Sequence, residues 1–162
     1  MTVINLDSAI DRMVALEIEA LAALSPTVVC DALPYFFHTQ EAFPYWTNRI
    51  GPLQIEDQGE DYDRPIYNII SRLVIGHLTD DYDGQNEDKL KIWIPQIVTY
   101  FHQHPRLQTA TLNTGLSQIV EARITSATGL RVLQSAGIST LQIGCEFTHR
   151  LEFLELIDLT YG

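Results

Sequence analysis

Residues 141–153, LQIGCEFTHRLEF, carry the clearest periodicity in the chain and decide how the rest is read. Leu141, Ile143, Cys145, Phe147, Leu151 and Phe153 alternate with Gln142, Glu146, Thr148, Arg150 and Glu152, the period of two expected of a strand with one buried face. Such a face needs a cover. Residues 87–102 offer one, because Leu90, Trp93, Ile94, Ile97, Val98 and Phe101 recur at helical spacing. Pro95, which lacks an N–H and crowds the preceding turn, is expected to kink this helix or to begin a second segment. The strand's apolar face is expected to pack on Leu90, Trp93, Ile94 and Ile97.

Working outward, residues 66–78 (IYNIISRLVIGHL) follow Pro65, are rich in β-branched side chains and are apolar on both faces, which predicts a central strand. Residues 118–126 alternate Val120, Ala122 and Ile124 with Glu121, Arg123 and Thr125, a further strand, and 128–137 read as a loop. Residues 7–24 read as a helix with Asp7 as N-cap and Asp11 in the first turn. Its stripe is Ile10, Met13, Val14, Leu21 and Leu24, with Ile18 between them, and Arg12, Glu17 and Glu19 are expected on a solvated face. Ser25-Pro26 should end it. Pro34 and Pro44 punctuate an aromatic stretch (Tyr35, Phe36, Phe37, Phe43, Tyr45, Trp46) expected to fill core, with 43–50 as a short strand. Gly51-Pro52 reads as a turn, 53–63 as a solvated acidic loop and 80–84 as a second acidic turn. The order α-β-β-α-β-β predicts an α+β fold, a mostly antiparallel four-stranded sheet with two helices on one face, in one domain over 1–162.

The composition, 46% hydrophobic and 19% charged over 162 residues, is that of a folded globule. Twenty-one Asp and Glu against ten Lys and Arg give −11, and only Lys89 and Lys91 are lysines. Phosphate neutralisation needs a clustered cationic excess, so specific DNA or RNA binding is not expected. No run approaches the ~20 apolar residues of a membrane span. The first ten residues lack a basic segment followed by an apolar one, so synthesis and retention in a cytosol are expected, away from membrane. Cys30 and Cys145 fit no metal or redox spacing and read as reduced thiols.

Tests for chemistry return nothing positive. Asp80-Asp81-x-Asp83-Gly84 suggests a calcium loop, but setting Gly84 at the loop's glycine puts Leu90 where a bidentate Glu is required. Carboxylates before a helix N-terminus suffice as an explanation. His102 and His104 lie at a helix C-terminus, where cations are favoured, and His38, His77 and His149 sit in other elements. The chain has no GxSxG, P-loop, GxGxxG or HExxH, so no enzyme, cofactor or metal site is expected.

The strand IYNIISRLVIGHL, the turn DDYDG, the helix LKIWIPQIVTYFHQHPRL, the loop SATGLRVL and the strand IGCEFTHRLEF resemble, in that order, the tail terminator (tail completion) proteins of tailed bacteriophages. The resemblance covers 65–153, with His104-Pro105-Arg106-Leu107 and the later TGLRV before Gly144 and Phe147 as its most telling pieces. It implies a structural virion protein at the tail-neck junction, assembled in the host cytoplasm. Its copies would form a homohexameric ring that ends tail-tube polymerisation, contacts the tube protein and the head-neck connector or stopper, and lets DNA pass through its lumen. An acidic wall suits that passage, since it repels phosphate. On this reading Glu56, Asp57, Glu60, Asp61 and Asp63 line the lumen or an interface, and Asp80, Asp81 and Asp83 form an assembly-interface turn. The alternatives are another neck component, a head-completion stopper or a mostly helical adaptor, and, from a different class, an acidic cytosolic enzyme or binding domain.

Overall fold

The computed structural model describes residues 6–24, 31–34, 43–57, 62–80, 84–109, 119–134, 141–153 and 155–156. Helix α1 (Leu6–Leu24) is followed by strands β1 (Asp31–Leu33), β2 (Tyr45–Asp57) and β3 (Tyr62–His77), and a 3-10 turn (Leu78–Asp80) leads to α2 (Gln85–His102). Strands β4 (Ile119–Ala127), β5 (Arg131–Leu133), β6 (Gln142–Phe153) and β7 (Glu155–Leu156) complete it. The class is α+β, with two helices and one mixed sheet.

The sheet runs β1-β2-β3-β6-β4, with β5 also on β6 and β7 on β3. Every pairing is antiparallel except β1 with β2. The expected four-stranded sheet is thus corrected to a larger, mixed one. The additions are short: β5 falls in the expected loop 128–137, and β1 and β7 are too brief for a period to register. Gly51-Pro52 is not a turn either, because β2 runs through it with a bulge between Ile50 and Leu53. A Cβ on Gly51 would stand 2.8 Å from the Asn68 carbonyl oxygen, so this glycine serves close strand approach, and the bulge accommodates a proline that cannot donate to the ladder. Pro95 sits exposed within one continuous α2. Asp7 lies inside α1, which begins at Leu6, instead of capping it.

Register divides the sheet into two faces. Trp46 and Asn48, then Tyr67, Ile69, Ser71 and Leu73, then Cys145, Phe147, His149 and Leu151 stand side by side, and both helices pack there. Leu90, Trp93, Ile97 and Phe101 of α2 join one core with the apolar face of β6, as the periodicities predict. Phe147 meets Trp46 at 5.6 Å between ring centroids, and Phe101 meets His149 at 4.7 Å. Tyr45 and Trp46 are core, as expected of that aromatic stretch, while Tyr35, Phe36 and Phe37 lie outside the described residues. Gly144 permits the β3–β6 approach, since a Cβ would fall 1.9 Å from the Leu73 carbonyl oxygen. On the other side of β6, the Ala122 amide of β4 turns outward and donates to the Pro105 carbonyl at 2.6 Å, and His102 Nε2 lies 3.2 Å from the Ile124 carbonyl oxygen. The end of α2 thereby closes the centre of the β4 edge.

Candidate functional site

The sequence-predicted carboxylates are only partly assembled. Glu56 and Asp57 end β2 and Asp63 lies at the start of β3, so they belong to the arms of a β-hairpin and not to a loop. The pairs Asp57–Asp63 and Asp63–Glu155 place three acidic positions side by side across β2, β3 and β7. Glu60 and Asp61 lie outside the described residues. Asp80 closes the 3-10 turn before α2, and Asp81 and Asp83 also lie outside the described residues.

Two features that the sequence reading missed are better defined. The first is Glu17. Expected on a solvated face, it is fully buried, because α1 turns it onto β2 and β3. Asn48 Nδ2 donates to Glu17 Oε2 at 2.9 Å and to the Leu33 carbonyl at 2.9 Å, which fixes the orientation of its amide. Ser71 Oγ lies 2.9 Å from Glu17 Oε1 and 2.6 Å from Asn48 Oδ1. One hydroxyl proton cannot serve both acceptors. The set closes when Glu17 is protonated and donates to Ser71, which donates to Asn48, which donates back to Glu17. Burial agrees with this count: it pushes the Glu17 carboxyl up from 4.5 to about 8, against the opposing hydrogen bonds of Asn48 and Ser71.

The second is the sheet face without helices. Register places the positions of Arg49 of β2, Arg64 and Arg72 of β3, Arg131 of β5, Arg150 of β6 and Arg123 of β4 on it, six of the ten cations in the chain. The positions of Glu56, Glu121, Glu146 and Glu152 share the face. Glu146 is the hub of one group, 2.9 Å from Arg131 and 3.7 Å from Arg72. Burial is the larger cause, and the nearby Arg49 a lesser one, holding the Arg72 guanidinium below its ordinary value, while Glu146 opposes them. Glu152 pairs with Arg150 at 3.3 Å and Glu121 with Arg123 at 3.8 Å. These pairs run along their strands. Across the strands the register sets Arg123 against Arg150 and Glu121 against Glu152, like charge facing like. The cationic clustering that the composition argued against is therefore present on one face.

The remaining candidates are inert. Cys145 is buried, with its thiol pushed up to about 12 chiefly by burial, and Cys30 lies outside the described residues. His149 is buried against Phe101 and its imidazole is pushed down to about 3, by burial first and His102 second. Its position fits the period of β6, where a histidine stands in an otherwise apolar row. His104 Nδ1 lies 2.8 Å from the Tyr100 carbonyl oxygen. Among the described residues, no group of three or more His, Cys, Asp or Glu could hold a metal ion, and no helix is long and apolar enough to cross a membrane.

No family model matches the chain, and no curated protein matches it.

Proposed function

We propose that the chain is a structural virion protein, a tail terminator whose copies form a homohexameric ring on the end of the tail tube and join it to the head-neck connector. The observation that carries this reading is the division of labour in the sheet. One face holds both helices and the main core, and the other, beyond a small buried cluster of Phe43, Tyr45, Val74 and Leu133, gathers arginines, the charged residue that is enriched where proteins meet. The sheet-dominated α+β architecture supports a terminator over a mostly helical adaptor. The acidic segment with Glu56, Asp57, Glu60, Asp61 and Asp63 suits a wall past which DNA slides, because carboxylates repel phosphate. No catalytic, cofactor or metal role is assigned to any residue.

The test is tube length. Tube subunits assembled in vitro should grow to unregulated lengths alone and stop with a ring at one end when this chain is added, as electron microscopy would show. Unaltered growth, with no density at either tip, refutes the reading.

A further inference from the structure

The arginine-bearing face of the sheet asks for an occupant. By register it holds six arginine and four glutamate positions among the described residues, of the chain's ten cations and twenty-one carboxylates. Arg49, Arg123 and Arg131 are exposed, the last two about half so at 51% and 55% of the side chain. A chain of net charge −11 repels its own copies at long range unless its cations are gathered where copies meet. The in-register pairs Arg123–Arg150 and Glu121–Glu152 point the same way. Exchanging the residues at 121 and 123 would set opposite charges across the strands, so the present order forgoes stability that a simple swap would recover. Rows of like charge gain when a partner lays the opposite charge over them.

We propose that this face docks a second copy of the chain, its arginines meeting carboxylates of the neighbour in a head-to-tail contact. The inference rests on the ring reading above only in its biological setting and names the surface that makes the contact. Two different surfaces meet, so the contact is heterologous and closes into a ring if its rotation allows. A nucleic acid is the less suitable occupant. Glu121, Glu146 and Glu152 interrupt the arginines and would face a continuous phosphate chain, whereas a protein can match mixed rows charge by charge.

The experiment is sedimentation of the full chain up to about 1 mM, in about 0.05 M and about 1 M salt, where the Debye length falls from more than 10 Å to about 3 Å. Association that weakens with salt is expected. Arg123→Glu with Arg131→Glu should weaken it about a hundredfold, as like-charge juxtaposition does. Lys89→Glu with Lys91→Glu, the same charge change on α2, should alter it less than threefold, roughly the share of net charge alone. Circular dichroism checks folding, and the salt series on the native chain stands if the arginine variant does not fold. A chain monomeric throughout, association indifferent to salt, equal effects of the two variants, or tight duplex DNA binding that Arg123→Glu abolishes would each overturn the proposal. Failure of the two readings is distinguishable: arginine-dependent association without tube capping removes only the terminator, and capping by a chain whose association ignores the arginines removes only this face.

Discussion

Replacing Glu17 with Gln should stabilise the protein, and by more at higher pH. The amide keeps the hydrogen-bond ring, its Nε2 donating to Ser71 and its Oε1 accepting from Asn48, without a proton to lose. For the native carboxyl, both states are protonated below 4.5, and between 4.5 and about 8 the unfolded chain has released a proton that the folded chain still holds. Stability therefore falls as pH rises through that window, by about 1.4 kcal/mol per unit, and the loss is complete above it. At pH 7 the native chain has lost about 3 kcal/mol that the Gln variant retains. His149 slopes the other way: with its folded value pushed down to about 3, it loses stability as pH falls below its ordinary 6.5. The two slopes oppose each other in the shared range, so the native curve alone is uninformative and the difference between native and variant isolates Glu17. Urea unfolding at half-unit steps from about pH 5 to pH 8.5 measures it. Parallel curves, or a variant less stable than the native protein at pH 7, would refute the neutral acid and the donor count behind it.

Other outcomes follow from the same packing. His149→Leu should leave the Glu17 slope unopposed between pH 4.5 and 6.5, gaining on the native protein by about 1.4 kcal/mol for each pH unit below 6.5 in urea unfolding, because no buried imidazole then resists protonation. Phe147→Ala removes a fully buried ring beside Trp46 and should cost about 3–5 kcal/mol, read as a lowered melting temperature. Gly144→Ala forces its Cβ against the Leu73 carbonyl and should cost about 3 kcal/mol or more, with loss of amide protection across β3 and β6. Lysine at Glu56, Asp57, Glu60 and Asp61 should leave the circular dichroism spectrum intact while slowing DNA ejection if this acidic segment lines the lumen, or blocking tail joining if it docks the tube. Normal infectious particles would return it to a plain solvated segment.

Legibility tracked sequence distance. The helices, the long strand β6 and their shared core are written as local periods of 3.6 and 2, and these survive in the structure. Glu17 carries a local signal of burial: it lies four residues after Met13 and four before Leu21, within the apolar stripe. What no window contains is the pair that makes its burial tolerable, Asn48 and Ser71, which β2 and β3 bring from elsewhere. The arginine face is hidden for the same reason. Each arginine sits unremarkably on its strand, and only pairing β4 with β6, β6 with β3 and β3 with β2 adds them together. At Gly51-Pro52 the local signal misled, because residues that favour turns also suit a bulge where two backbones draw close.

The closed β4 edge bears on what happens when many copies are crowded before assembly. Stacking into a fibre requires two usable strand edges per molecule, one to add to and one to offer. Pro105 and His102 occupy the middle of one, and the three residues of β5 beside it are too few to template a neighbour. The long ladder left without a partner among the described residues is the outer side of β2 past Thr47, where β1 ends. Two molecules can meet there, edge to edge, and among the described residues their product offers no second long open edge, so strand pairing through this ladder ends at a dimer.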